Sequence, residues 1–370
     1  MKSELPPFPE ELKLSEEQQK AVNLAARAVM DDELFKLGGY AGTGKTTVAQ
    51  AIADQVPGCM PCAFTGKAAY RLREKGLMAQ TIHSLIYYPD EATKTFTLRD
   101  DVEGDWFLID EGSMISAELW KDLLSFGLPI LLLGDPGQLE PVGNDPKLMH
   151  KPDVILEQIH RQAEGNGIIE FATDIRRGTP INPNIEVLEN IQLGYEDVNI
   201  SHGKQPTYGD LEWSDVIICG FNKTRVKINQ IIRTMKNIRS PTPIEGERII
   251  CLKNDRRLGV FNGQMFTIAE IISKEGYYTR ASCLNDMGQT QILKLYNPQF
   301  GAKKTLGFRD VPKGSVAADY AYCITCHKSQ GSEWDNVLVI DEQMPRLWNA
   351  TRWRYTAVTR ASKKLKMFYK

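Results

Sequence analysis

Short apolar runs recur through the first 140 residues. Each closes on small or polar residues, and segments of helical spacing separate them. Leu34 to Leu37 is such a run and leads into a glycine-rich turn; Thr46 to Gln55 then places Val48, Ala49, Ile52 and Ala53 at helical spacing. Cys62 to Phe64 predicts a second strand and Lys67 to Glu74 a second helix. Trp106 to Ile109 and Ile130 to Leu133 read as further buried strands, with a helical Ser116 to Phe126 between them. Strands that alternate with helices predict a parallel sheet covered on both faces, an α/β architecture. Ligands of such sheets collect at the carboxyl ends of the strands, and the polar clusters here follow the strands.

Farther along, Asp153 to Gly178 has helical spacing and predicts a bridging helical segment. Val216 to Cys219 as a strand and Lys223 to Lys236 as a helix begin a second α/β unit. Between Pro241 and Pro312 the pattern changes to short strand-like runs (Arg248 to Leu252, Gln264 to Ile272, Tyr277 to Ser282, Gln291 to Leu295) broken by Gly and Asn turns, which predicts a small β-barrel inserted into that unit. The α/β pattern resumes with Val337 to Ile340, a helix over Arg352 to Ala361 and a last strand over Leu365 to Tyr369.

Chemistry enters at the ends of the predicted strands. Gly39-Tyr-Ala-Gly42-Thr43-Gly44-Lys45-Thr46 has the spacing of a phosphate-binding loop, in which backbone N–H groups cradle phosphate oxygens at a helix N-terminus, Lys45 reaches the β and γ phosphates and Thr46 holds Mg²⁺. Asp110-Glu111 directly follows a buried strand. There the aspartate can hold Mg²⁺ through water, and the glutamate can align or deprotonate an attacking water. Gly134-Asp135-Pro-Gly-Gln138 follows the next strand and reads either as a plain turn or as a γ-phosphate contact through Gln138.

Composition changes this picture little. The chain has 370 residues, enough for two or three domains, and a formal charge of −2 that gives no global pull on nucleic acid. Basic residues for a polyanion must therefore be gathered locally, and the C-terminal stretch (Arg346, Arg352, Arg354, Arg360, Lys363, Lys364, Lys366, Lys370) is one candidate, with a solvated basic surface as the alternative. Met1 to Glu10 lacks a signal pattern, and no apolar run approaches membrane-spanning length, so the expectation is a soluble protein of the cytoplasm. Seven cysteines include two CxxC pairs, Cys59/Cys62 and Cys323/Cys326, the second running into His327 like a haem-attachment motif. Haem is rejected because there is no export signal; a zinc site shared by the two pairs is the weaker alternative to free thiols.

In their order along the chain these segments resemble the motifs of superfamily 1 helicases, in the RecD-like and Dda-type branch (superfamily 1B) that moves 5′ to 3′ on DNA. The resemblance covers nearly the whole sequence. Leu14 to Ala21 is similar to the Q motif, which makes Gln18 the reader of the adenine edge. Gly39 to Thr46 is motif I, with Thr47 just behind it. Ala63 to Ala69 is similar to motif Ia, although Phe64 stands where the family often has Pro, and Thr81-Ile-His83-Ser84 resembles motif Ib. Leu108 to Met114 is motif II and Gly134 to Val142 motif III. His160-Arg161-Gln162 resembles motif IV, Thr325 to Gly331 motif V with Glu333 close behind, and Tyr355 to Ala361 motif VI. Cys323 and Cys326 then fall at positions of motif V that carry no chemistry.

The resemblance implies two RecA-like P-loop domains with parallel sheets. Residues 1–150 would form the first, with a pin insertion at about 86–105; residues 151–240 and 313–370 would form the second, with an SH3-like β insertion at 241–312. It implies ATP and Mg²⁺ as cofactors. Lys45, Glu111, Gln138, Arg161 and Arg360 are the implied catalytic residues, the two arginines as fingers on the γ-phosphate. Gln18, Gly42, Thr43, Gly44, Lys45, Thr46, Thr47, Gly331 and Glu333 hold nucleotide, and Thr46 and Asp110 the metal. Thr65, Lys67, Thr81, His83, Thr325 and His327 would contact DNA, with Pro89 and Phe96 at the strand-separating pin. The implied activity is a 5′-to-3′ helicase working on single-stranded and tailed or forked DNA. It would be a monomer, with single-strand-binding or replication and recombination proteins as candidate partners. The compact layout suggests a bacteriophage source. The alternatives are a translocase that remodels protein–DNA complexes or junctions with little unwinding, and a non-motor binding module switched by ATP.

Overall fold

The computed structural model describes residues 14–90, 95–140, 146–159, 166–181, 195, 197–253, 255, 258–260, 262–285, 288–307, 310–342, 345 and 348–369. The chain forms two compact units, one of residues 1–88 and 98–165, the other of residues 89–97 and 166–370.

The first unit opens with α1 (Glu16–Met30). Its N-cap Ser15 accepts from the backbone of Gln18, and Gln18 returns the bond to the Ser15 N–H, a capping box that fixes where the helix starts. There follow β1 (Leu34–Gly39), α2 (Lys45–Gln55), β2 (Cys59–Ala63), α3 (Gly66–Glu74), β3 (Gln80–Thr81) and α4 (Ile82–Ile86); then come the hairpin strands β4 (Tyr87–Asp90) and β5 (Thr95–Leu98), whose residues 89–97 are grouped with the second unit, and after them β6 (Trp106–Asp110), α5 (Ala117–Leu124), β7 (Ile130–Gly134) and β8 (Val154–Leu156). The sheet runs β3-β2-β6-β7-β1-β8, with every pairing parallel. Ala21, Val22, Ala25 and Val29 of α1 and Val48, Ala49 and Ile52 of α2 pack in one core with Leu37, Leu108, Leu131 and Leu133. The strand interiors are apolar on both faces, as expected for a parallel sheet covered by helices.

One expectation is corrected here. Asp153 to Gly178 is not one continuous helix: Val154–Leu156 is the edge strand β8, paired in parallel with Leu37–Gly39, and among the described residues of the span Gly167–Arg177 alone is helical. Asp153 fixes the register, since its carboxylate accepts from Lys36 N–H at 2.7 Å while its own N–H donates to the Lys36 carbonyl. A three-residue strand at a sheet edge owes its conformation to its neighbour, not to its own spacing.

The second unit holds α6 (Gly167–Arg177), β9 (Val198–His202), α7 (Tyr208–Trp213), β10 (Val216–Cys219), α8 (Asn222–Met235), β11 (Arg248–Cys251), β12 (Met265–Glu275), β13 (Tyr278–Asn285), β14 (Thr290–Tyr296), β15 (Ala318–Tyr320), β16 (Cys323–Thr325), α9 (Cys326–Ser329), β17 (Trp334–Asp341), α10 (Ala350–Val358) and β18 (Ala361–Tyr369). Its parallel sheet runs β16-β10-β17-β18-β9. A separate antiparallel sheet runs β14-β13-β12-β11-β15, drawing its fifth strand from beyond Pro312. Helix α8 is tied to both sheets by polar bonds. Arg233 pairs with Glu247 at 2.8 Å, Arg225 pairs with Asp319, and the Asn229 amide donates to the carbonyls of Tyr320 and Cys323.

Candidate nucleotide and nucleic-acid sites

Because all strands of the first sheet are parallel, their carboxyl ends share one edge. The candidate ATP residues follow β1, β6 and β7, and the candidate DNA residues follow β2 and β3. Gly42 and Gly44 have φ of 77°, the left-handed region that suits glycine, and they turn the loop into the first turn of α2. A Cβ on Gly39 would lie 2.7 Å from Lys45 Cγ and 2.8 Å from Thr43 Oγ1, so the loop has room there only for glycine. The Lys45 ammonium donates to the carbonyls of Gly39 at 2.7 Å and Tyr40 at 3.0 Å, and Thr43 Oγ1 donates to Tyr40 O at 2.8 Å. Thr46 and Thr47 follow Lys45 in the first turn of α2.

Gln18 is buried, and its Nε2 donates to the Thr43 carbonyl at 3.3 Å. With the capping bond to Ser15, this uses one donor and one acceptor site of the amide and leaves one of each for a base edge. Neighbouring Glu17 accepts the N–H groups of Glu157 and Gln158 at 3.0 and 3.1 Å. Leu156 pairs with Gly39, and the Tyr40 N–H donates to its carbonyl. The chain thus leaves β8 at Leu156, beside the start of the glycine-rich loop and five positions before Arg161 in sequence. Arg161 itself lies outside the described residues.

Asp110 ends β6. Its Oδ1 accepts from the Glu111 N–H at 2.8 Å. Burial pushes its carboxyl up from the ordinary range, the Glu111 carboxylate adds to that, and Arg71 and Lys45 oppose it. A divalent cation would relieve this repulsion. Among the described residues no group of three or more His, Cys, Asp or Glu side chains gathers as a metal cage. The donor set of one carboxylate and one hydroxyl, Asp110 and Thr46, nevertheless fits Mg²⁺, which is commonly held by one or two protein oxygens together with phosphates and water. Glu111 is 8% exposed, has φ of 57°, and pairs with Arg71 Nη2 at 3.2 Å. Gln138 is buried in the turn after β7, where Asp135 accepts from the N–H groups of Gly137 and Gln138. Its Oε1 is buried and has no hydrogen-bond partner among the described residues. An acceptor buried and left short costs about 1–3 kcal/mol, which a donor such as an ordered water would recover.

At the other end of the same edge, Thr65 caps α3 by accepting from Ala68 N–H, and Thr81 caps α4 by accepting from Ser84 N–H, both at 3.1 Å. Lys67 lies in the first turn of α3. His83 is buried, stacked on Tyr87 at 5.8 Å between ring centroids, with Phe64 edge-on at 6.1 Å. Pro89 and Phe96 have backbones in the hairpin of β4 and β5; their side chains lie outside the described part.

In the second unit, Thr325 is the N-cap of α9. His327 meets Trp348 edge-on at 6.2 Å, and Trp348 stacks on Phe221 at 5.5 Å. Burial, with Lys328 beside it, lowers the His327 imidazole and favours its neutral form. Arg360 is buried: Nε donates to Thr356 O, Nη1 to Ser332 O and Nη2 to Thr359 Oγ1, each at 3.1 Å. The bond to Ser332, together with Trp334 N–H donating to Arg360 O, joins Arg360 to the loop that carries Gly331 and Glu333. All seven cysteines are free thiols. Sequence reasoning passed over Arg71, Glu17, Phe221 and Trp348. Glu17, inside the Leu14–Ala21 segment, and Arg71, two residues beyond the Ala63–Ala69 segment, lay close enough to a motif to be found that way.

Known proteins resemble this chain over most of its length. Residues 13–192 match the AAA domain family, and residues 320–367 match the UvrD-like helicase C-terminal domain. The chain is 27% identical over 376 residues to the ATP-dependent RecD2 DNA helicase of Deinococcus radiodurans, covering 94% of this chain and 48% of that protein. It is 26% identical to the RecBCD enzyme subunit RecD of Mycolicibacterium smegmatis, over 95% of this chain and 70% of that one. It thus spans about half the length of the first of these relatives and somewhat more of the second. Among solved structures, a Bacteroides Pif1 bound to single-stranded DNA aligns with TM-score 0.55, and a Pif1 in a study of unwinding at forked duplex DNA with 0.56. Both are 20% identical and cover 96% of this chain and 92% of theirs. They show a shared fold, an α/β architecture with two RecA-like parallel sheets.

Proposed function

We propose that the chain is a superfamily 1B helicase that hydrolyses ATP to translocate 5′ to 3′ along single-stranded DNA and to open duplex ahead of it. The observation that carries the reading is the alignment of Lys45, Asp110 with Glu111, and Gln138 behind three adjacent strands of one sheet, with Gln138 Oε1 buried and lacking a donor. In this reading the loop N–H groups and Lys45 bind the triphosphate, exchanging the carbonyls of Gly39 and Tyr40 for phosphate oxygens. Thr46 and Asp110 would hold Mg²⁺, which would supply positive charge to offset that of the phosphates. Glu111 takes the proton of the attacking water, and Gln138 fixes that water's orientation through its unsatisfied oxygen. Gln18 reads the base. Arg161 and Arg360 are assigned to charge developing on the γ-phosphate, with Gly331 and Glu333 beside the nucleotide. Such arginines contribute about 10³-fold or more to the rate.

Thr65, Lys67, Thr81, His83, Thr325 and His327 are assigned to the DNA strand, and Pro89 and Phe96 to its separation from the partner strand. Two RecA-like domains (1–150; 151–240 with 313–370) with insertions at 86–105 and 241–312 complete the proposal, acting as a monomer in the cytoplasm. The antiparallel sheet extends past residue 312 through β15 and the first parallel sheet past residue 150 through β8, so in this division the insertion boundary moves from 312 to after Tyr320 and the first domain's boundary from 150 to after Leu156.

Steady-state ATPase with and without an unstructured single strand, followed by unwinding of duplexes carrying a 5′ or a 3′ tail, tests the reading. The expected result is strand-stimulated hydrolysis, unwinding that requires the 5′ tail, and loss of both in Lys45→Ala. Hydrolysis that ignores DNA would leave an ATP-switched binder. Stimulated hydrolysis without unwinding would leave a translocase that remodels protein–DNA complexes.

A further inference from the structure

Glu111, the residue assigned to the attacking water, is held by an element that none of its own chemistry requires. Its carboxylate accepts from Arg71 Nη2 at 3.2 Å, and Arg71 belongs to α3. The Glu111 backbone is left-handed, a conformation that a glutamate adopts only where the surroundings impose it. The same nine-residue helix begins at Thr65 and Lys67, two of the residues assigned to DNA. Thr65 to Arg71 is six residues, roughly 9 Å along a helix axis. Ala68, Ala69 and Leu72 pack α3 in one cluster with Ala63 at the end of β2, so the helix responds as a unit and not residue by residue. The Arg71 side chain is about one-third exposed while that of Glu111 is nearly buried. A pair with one solvated partner is broken at small cost, as a switch requires.

We propose that Arg71 is a positioning residue that couples DNA to hydrolysis: it holds the Glu111 carboxylate on α3 while the N-terminal end of that helix carries no DNA strand, and releases it to the water when Thr65 and Lys67 take up phosphates. The inference rests on the ATPase reading above and adds the route by which DNA would reach the catalytic carboxylate. A guanidinium that served only to stabilise α3 would alter folding and scale all rates together. A latch alters the ratio between rates with and without DNA.

The test is steady-state ATPase of wild type, Arg71→Ala and Arg71→Lys, with and without saturating oligo(dT), alongside thermal unfolding and binding of a fluorescent ATP analogue. Arg71→Ala is expected to raise the DNA-independent kcat severalfold, to reduce the stimulation ratio at least threefold, and to leave KM for ATP within twofold. Arg71→Lys, which keeps a cation and a helix former, should fall between it and wild type, and it carries the test should Arg71→Ala fold poorly. A stimulation ratio equal to that of wild type in the folded variants, whether both rates fall together or neither moves, overturns the coupling. A wild type whose hydrolysis is indifferent to DNA overturns the functional reading itself and the coupling with it, so the two failures are told apart by the wild-type measurement.

Discussion

The phosphate loop leaves little tolerance at individual atoms. Because a Cβ at Gly39 would press on Lys45 Cγ and Thr43 Oγ1, Gly39→Ala should displace the lysine assigned to the phosphates and leave the core untouched. Binding of an ATP analogue should weaken at least tenfold, about 1.4 kcal/mol, with an unchanged melting temperature. Titrating the analogue by fluorescence and melting the variant check both halves. Lys328 poses a different problem. Burial pushes its ammonium down to about 8, with Cys251 opposing and Arg225 adding to the shift. Below that pH the folded protein holds a charge that the unfolded chain solvates better, so the full cost is present. Between about 8 and the ordinary value of 10.5 the unfolded chain still binds the proton that the folded one has lost, and stability rises with pH. Relative to Lys328→Met, the wild type should therefore gain up to about 3 kcal/mol between pH 7 and pH 10.5. Urea unfolding of the pair at the two pH values measures it, and a difference that stays flat or falls contradicts the shift.

At the scale of elements, caps and buried pairs decide how helices are seated. Thr65 satisfies an N-terminal donor of α3, so Thr65→Ala should cost about 1 kcal/mol in denaturant unfolding. This cost is separate from any loss of DNA affinity and is read without DNA. Helix α8 is seated on the antiparallel sheet by Arg233, whose guanidinium and the Glu247 carboxylate are both almost fully buried. Arg233→Met leaves the buried carboxylate without its cation and should cost about 3–5 kcal/mol, while Arg233→Met with Glu247→Leu should recover most of that. A double variant no more stable than the single one would show that the pair's other bonds, to Thr242 and Tyr322, matter more than its charge.

For the whole molecule, ligand binding and folding are linked. A nucleotide that binds only the folded first unit stabilises it by about 2.7 kcal/mol at a hundredfold excess over Kd. Thermal unfolding with a non-hydrolysable ATP analogue and Mg²⁺ should therefore shift upward. Chelating the metal should remove much of the shift, since Asp110 is ill-disposed to carry its charge beside Glu111 without a cation. Lys45→Ala should show little shift under either condition. An equal shift with and without metal would place the nucleotide away from Asp110.

The sequence by itself determined the alternation of strand and helix in both units, the glycine-rich turn between a strand and the helix that opens at Lys45, and the positions of Asp110, Glu111 and Gln138 behind buried strands. These follow from local spacing: a run of Leu and Ile, or a glycine pair before Lys45, carries its meaning within a few residues. Tertiary structure alone decided the rest. Val154–Leu156 is a strand because Leu37–Gly39 lies beside it, Val198–His202 because it pairs with Leu365–Tyr369, and the antiparallel sheet closes on Ala318–Tyr320 although the β-rich composition ends near Pro312. Arg71 and Glu111 are forty residues apart, and Arg225 and Asp319 ninety-four. No periodicity spans such distances, because which side chains meet is set by the order of strands in the sheet, and that order is a property of the folded chain.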